Sequence, residues 1–156
     1  HPTIDAIARY GESDLLCYRA ASPTALVNRQ AEQWQPWLDW AARTHGAPLR
    51  VTTGIGHVKQ HHDSIDALRN AVAALDCYTL AALGIAVPSM GSLVLGLAMA
   101  SGDLSAEEAH SLGTLDELFQ LEQWGDDDEA AKRRASVQED VVLAGRLIDL
   151  ARVGPT

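Results

Sequence analysis

Cys77-Tyr-Thr-Leu-Ala-Ala-Leu-Gly-Ile-Ala-Val-Pro-Ser-Met-Gly-Ser-Leu-Val-Leu-Gly-Leu-Ala-Met-Ala-Ser-Gly102 runs for 26 residues without a charged side chain. Its length would suit a membrane span. Thr79, Ser89 and Ser92 interrupt it, however, as do Pro88 and four glycines counting Gly102. Asp103 follows it, where a span would be flanked by Lys or Arg. The stretch therefore reads as a buried central helix or helix pair, helical on both sides of Pro88.

Helices are predicted on either side of this core. Ser22 before Pro23 fits an N-cap followed by proline at the first helical position, with the helix running to about Thr44 and ending at Gly46. Pro36 falls inside it and is expected to kink it near Gln35. Leu49, Val51, Thr53 and Ile55 alternate along a short strand or extended connector. Asp63 or Ser64 is expected to cap a helix whose Ile65, Leu68, Val72 and Leu75 share one face. Ser105 and Glu108 have capping-box spacing and open a helix predicted to end near Trp124-Gly125. Asp126 and Glu129 offer a related cap for a last helix, where Val137, Val141, Ala144, Ile148 and Ala151 recur at steps of four and three. The fold class that follows is mainly α: a compact multi-helix domain of six or so helices, with at most a short extended segment near 49–55.

Composition agrees. The chain has 156 residues, enough for one sizeable core, and is poor in Phe and Tyr but rich in Ala and Leu, which suits helices packed through small side chains. The net charge of −9 is concentrated in residues 103–129, which hold ten Asp or Glu and no Lys or Arg. Such a block excludes broad electrostatic binding to nucleic acid or an anionic membrane and suits protein docking. Two cysteines, Cys17 and Cys77, make no disulfide framework and read as reduced thiols. The chain begins His1-Pro2 with no secretory or basic targeting segment, so it is expected to be a processed or truncated product, treated as one domain over residues 1–156.

Catalytic chemistry has few candidates. His57, His61, His62 and Asp63 are the only cluster of metal-ligand types, and a small metal-dependent hydrolase built on them is the alternative reading. Gly54 and Gly56 put this cluster in a loop before a helix, where a solvated cap is the simpler account, and a metal needs further well-placed ligands. Residues 126–129 lack the full calcium-loop pattern. There is no phosphate-cradling loop or nucleophile elbow. No metal, cofactor or catalytic set is assigned.

Aromatic and acidic residues say more. Trp34, Trp37 and Trp40 stand three apart; at least two are expected in the core, which leaves one partly exposed at a binding surface. In the acidic block, Leu112, Leu115, Leu118 and Phe119 mark an apolar sector with Glu122 in its middle. A carboxylate there must fray outward, pair with a cation such as an Arg, or meet a partner. Asp116, Glu117 and Gln120 point away from that sector, to solvent or a partner, and Trp124 closes the segment.

In order along residues 14–150, several pieces resemble one family: Asp14-Leu-Leu-Cys-Tyr-Arg-Ala20; Arg29-Gln30 with Trp34-Gln-Pro-Trp-Leu-Asp-Trp40; Val51-Thr-Thr-Gly-Ile55; Ala74-Leu-Asp76; Gly91-Ser-Leu-Val-Leu95; and Leu115-Asp-Glu117 through Gln123-Trp-Gly125. Together they are similar to the C-terminal helical region of the ATP-twelve family, assembly chaperones for the catalytic sector of the F-type ATP synthase in mitochondria and alphaproteobacteria. The resemblance implies a non-catalytic protein that binds the unassembled alpha subunit and prevents its aggregation until beta subunits replace it. It implies that the family's functional acidic positions fall on Asp116 and Glu117. It also implies an N-terminal beta-rich domain that this chain lacks, and a bacterial cytoplasm, or a mitochondrial matrix if the source is eukaryotic. The expected partner surface is Asp116, Glu117, Gln120, Glu122 and Trp124. A helical scaffolding module with another partner is the remaining alternative.

Overall fold

The uncharged stretch forms two helices in the computed structural model, which describes residues 1–153. The element order is α1 (Pro2–Ala8), 3-10 turns at Arg9–Gly11 and Leu15–Cys17, β1 (Tyr18–Arg19), α2 (Thr24–His45), β2 (Thr52–Thr53) and α3 (His62–Ala73). It continues with α4 (Cys77–Met90), α5 (Leu93–Ser101), α6 (Ala106–Gly113), α7 (Leu115–Trp124) and α8 (Asp128–Val153). The fold is thus all-α apart from two strands of two residues each, paired in parallel with Tyr18 opposite Thr52. No helix among the described residues is long and apolar enough to cross a membrane.

α5 is the centre of the molecule, with every residue from Leu93 to Met99 buried. A helix apolar on all sides needs cover all round, and α2, α4, α6, α8 and the 3-10 turn at Arg9–Gly11 supply it. α8 lies mainly against α4 through Val141, Ala144 and Ile148, the period-matched residues of the sequence reading. The helix break falls at Gly91 rather than Pro88. Gly91 is left-handed at φ 71° and ends α4, and the Ser92 hydroxyl caps α5 by accepting from the Leu95 N–H. Pro88 is tolerated inside α4 because it and Gly84, whose carbonyl loses its helical donor, both lie on the exposed face.

Gly96 lets α5 approach α4. A Cβ there would stand 2.5 Å from Val87 Cγ2, and Val87 is fully buried and cannot move aside cheaply. Gly96→Ala gains up to about 1 kcal/mol of helix propensity against an overpacking cost of about 1–3 kcal/mol. A net loss of stability is expected in urea unfolding, whereas Gly84→Ala, with nothing nearer than 3.9 Å, should be neutral or mildly stabilising.

Other boundaries differ from the sequence reading for local reasons. Pro23 rather than Ser22 is the cap residue of α2, extended at ψ 166°, and its carbonyl accepts from Leu26 and Val27. α2 continues through Pro36 and ends at left-handed Gly46. His61 caps α3, with Nδ1 accepting the Asp63 N–H, so Asp63 and Ser64 lie inside the helix; the Ser64 hydroxyl donates to the Pro48 carbonyl instead. The alternation at 49–55 does not bury one side: Val51 is exposed and Ile55 wholly so, because β2 pairs for two residues before Gly54 turns the chain at φ 83°. The helix opened by the Ser105–Glu108 capping box stops at Gly113. There the Thr114 N–H and hydroxyl both bond to the His110 carbonyl, and a second helix, α7, starts afresh.

Candidate functional site

α7 is held to α2 along one face and leaves the other in solvent. Leu115 and Phe119 are buried, while Leu118 is partly exposed. Beside them Glu122 accepts two charge-assisted hydrogen bonds from Arg29, at 3.2 and 3.1 Å, and the same guanidinium stands 5.2 Å from the Phe119 ring centre. Glu122 therefore has its cation within the fold, the pairing option of the sequence reading, and is directed toward α2 rather than grouped with the other acidic positions. The pair is half-exposed, so it orients α7 more than it stabilises it.

The outward face carries Asp116, Glu117 and Gln120, all exposed, and ends in Trp124 at 84% exposure. These four line one shallow cleft of about 280 Å³, together with Asp126 and Arg134 from the α7–α8 junction. Arg134 Nη2 donates to both oxygens of Asp126 at 2.8 Å, and Arg134 Nη1 lies 3.8 Å from Glu117. The Arg134 hydrogen bond holds the Asp126 carboxyl below its ordinary range. Asp116, Gln120 and the Trp124 indole N–H make no side-chain hydrogen bond or ion pair among the described residues. An exposed ring beside an unpaired carboxylate can meet a partner surface that is apolar and cationic, with charge setting orientation and the ring supplying contact area. Asp126, expected as the cap of the last helix, pairs across the junction with Arg134 instead, a pairing with no signal in the sequence, and Asp127 caps α8 by accepting the Glu129 N–H.

The second cluster is a cap. His61, His62 and Asp63 bring ligand-type atoms within 4.8 Å of one another, all exposed. His61 Nδ1 is committed to the Asp63 N–H, and the positive end of the α3 dipole lies beneath, which disfavours a cation. His57 is engaged elsewhere, 2.9 Å from the Tyr18 hydroxyl. Among the tryptophans, Trp34 and Trp40 are core residues with their N–H groups donated to the Leu112 carbonyl and Asp103, while Trp37 is half-exposed. Cys17 and Cys77 are both free thiols, and burial pushes Cys17 up to about 12.

Comparison with known proteins gives this geometry a context. A family profile described as ATP12 chaperone protein matches residues 1–42. The chain is 28% identical over 104 residues to protein atp12, mitochondrial, of Schizosaccharomyces pombe, covering 64% of this chain and 35% of that protein. Its fold superposes on the crystal structure of Atp12 from Paracoccus denitrificans with a TM-score of 0.93 at 44% identity, covering 96% of this chain and 64% of that one. A structure from Agrobacterium tumefaciens matches at TM-score 0.84 and 40% identity, over 94% of this chain and 55% of that one. The chain thus spans between about a third and two thirds of the length of these relatives. The resemblance read from the sequence holds in sequence and in fold.

Proposed function

We propose that this chain, an ATP12-family chaperone unit by sequence and fold, serves assembly of the F-type ATP synthase by binding the unassembled alpha subunit of the catalytic sector and keeping it from aggregating. The observation that carries the reading is the exposed Trp124 beside the unpaired Asp116 in a protein whose relatives are ATP12 chaperones. An orphan subunit exposes apolar surface that needs cover. A ring and an aliphatic rim give that cover, and carboxylates give orientation and a contact that salt or a competing subunit can displace. Nothing in this action requires a catalytic group, so a binding protein is favoured over an enzyme. The compartment that goes with this reading is a bacterial cytoplasm, or a mitochondrial matrix in a eukaryote, and the beta-rich domain implied by the resemblance would act alongside this one.

The test is suppression of light scattering by purified alpha subunit as it is warmed, with beta subunit as the specificity control. Asp116→Lys with Glu117→Lys should weaken alpha-subunit binding by about tenfold or more at a stability cost of no more than about 1–2 kcal/mol, since both positions are exposed but lie in the first turn of α7, with Glu117 near Arg134. Equal binding at matched stability would sink the assignment of these residues. Failure of the parent protein to bind or protect alpha subunit would sink the function itself.

A further inference from the structure

A second cleft, between α2 and α6, has features that the acidic helix does not explain. It measures about 510 Å³ and is lined from α2 and α6 by the apolar Pro36, Trp37 and Leu112 and by the carboxylates of Glu32, Glu107 and Glu108, the last already accepting from the Ser105 N–H. No Lys or Arg lines it. Two backbone and side-chain details make it unlike an ordinary surface furrow. Pro36 has no N–H, so the Glu32 carbonyl one turn back lacks its helical donor, and both residues line the cleft. Trp37 is also the one tryptophan of α2 whose indole N–H has no partner among the described residues, since Trp34 and Trp40 both donate within the fold.

Along α2 the cleft follows on from the anchor of α7. Arg29, Gln33 and Pro36 follow one another at helical spacing on one face of α2. Arg29 is the residue that holds Glu122 of α7, and Gln33 and Pro36 line the cleft.

We infer that the α2–α6 cleft binds a segment of the client in which Lys or Arg alternates with aliphatic side chains, an inference that rests on the chaperone reading above. The chemistry of the walls selects that occupant. The acceptors are the Glu32 and Glu107 carboxylates, neither of them ion-paired among the described residues, and a cationic side chain is the donor that suits them. Its charge can also sit over the Trp37 ring, while a neighbouring aliphatic side chain covers Pro36 and Leu112. An acidic or purely apolar segment would leave the two carboxylates facing either like charge or no donor.

The test is fluorescence anisotropy of a short labelled peptide of alternating Lys and Leu, in parallel with binding of unassembled alpha subunit. Glu32→Lys with Glu107→Lys should weaken peptide binding about tenfold. Glu139→Lys with Asp140→Lys, at two exposed carboxylates of α8 that line neither cleft, changes the net charge equally and should alter peptide binding less than about twofold. Trp37→Ala should weaken it about fivefold and Trp37→Phe should restore most of that, which separates loss of the ring from loss of fold. Equal weakening by both charge-reversed pairs would overturn the site in favour of bulk charge. So would full alpha-subunit binding by the Glu32/Glu107 variant, or a dimer of the parent protein that this variant dissociates, which would give the cleft to a second copy. If the parent protein ignores alpha subunit yet binds the peptide through Glu32 and Trp37, the client reading fails and the cleft stands.

Discussion

Asp14→Ala is expected to cost about 3 kcal/mol or more in urea unfolding, one of the two largest losses from any single side chain considered. Asp14 is completely buried, and no cation pairs with it among the described residues. Its carboxylate accepts from the Leu16 N–H at 3.1 Å, the Ser92 hydroxyl at 2.8 Å and the Val94 N–H at 2.9 Å. It therefore joins the second 3-10 turn to the first turn of α5, the most buried helix. The Leu15 N–H donates to the Gly91 carbonyl at the same junction. Removal of the carboxylate strands two buried backbone donors, each costing about 1–3 kcal/mol. Asp14→Asn should cost less, because one amide oxygen still accepts.

The same residue predicts an unusual pH dependence. Burial pushes the Asp14 carboxyl up to about 6 in the folded protein, against the 3.8 of an ordinary aspartate, while its hydrogen bonds pull the other way. A raised folded value means that the native state holds the proton more tightly. The contribution is complete below pH 3.8 and is lost as pH rises through 6, by at most on the order of 3 kcal/mol. Asp5, Asp76, Glu108 and Asp126 are all lowered, each by its own hydrogen bonds, so their contributions run oppositely and fall away below the ordinary carboxyl range. The difference in stability between the parent and Asp14→Asn, followed from pH 4 to 7, isolates the Asp14 component. A flat difference would show that the carboxyl stays ionised throughout.

How much of this was legible in the sequence depended on the range over which each feature is determined. Val141, Ala144 and Ile148 were readable because one periodic face meets one neighbour, and Ser105 with Glu108 because a capping box closes within four residues. Helix on both sides of Pro88 was readable, but the boundary of the pair was not: Pro88 lies on an exposed face of α4, where its lost hydrogen bond costs little, and left-handed Gly91 ends the helix. The split between α6 and α7 was hidden for a similar reason: Thr114 is compatible with a continuous helix until its hydroxyl turns to the His110 carbonyl. At the site, the outward face of Asp116, Glu117 and Gln120 followed from a wheel, and so did the need of Glu122 for a cation. The identity of that cation did not, since Arg29 lies 93 residues away and nothing local singles it out. Arg134 and the cleft beside Trp37 are likewise products of packing between segments.

Trp34→Ala is expected to be the other large loss, about 3–5 kcal/mol, and its consequences reach the binding surface. Trp34 is 1% exposed, and its indole N–H donates at 2.9 Å to the Leu112 carbonyl near the end of α6. That carbonyl belongs to the last turn, where the helix supplies no donor of its own. The ring thus fastens α6 to α2 just before the Thr114 break, and α7 is carried on from there. Removing it leaves a cavity and an orphan carbonyl together, so α6 and α7 should exchange amide hydrogens faster than α4 and α8. Trp34→Phe fills most of the space and loses only the hydrogen bond, at about 1–2 kcal/mol. Alpha-subunit binding should then fall with Trp34→Ala in proportion to the loosening of residues 106–124, whereas Asp116→Lys with Glu117→Lys should lose binding with exchange in α6 unchanged. If Trp34→Ala raised exchange throughout the molecule equally, the ring would be a general core residue and not the fastening of the acidic helix. The contrast matters because the acidic face has almost no packing of its own: what Asp116, Glu117, Gln120 and Trp124 present depends on an α7 anchored by Leu115, Phe119 and the Arg29–Glu122 pair, on a base that Trp34 holds in place.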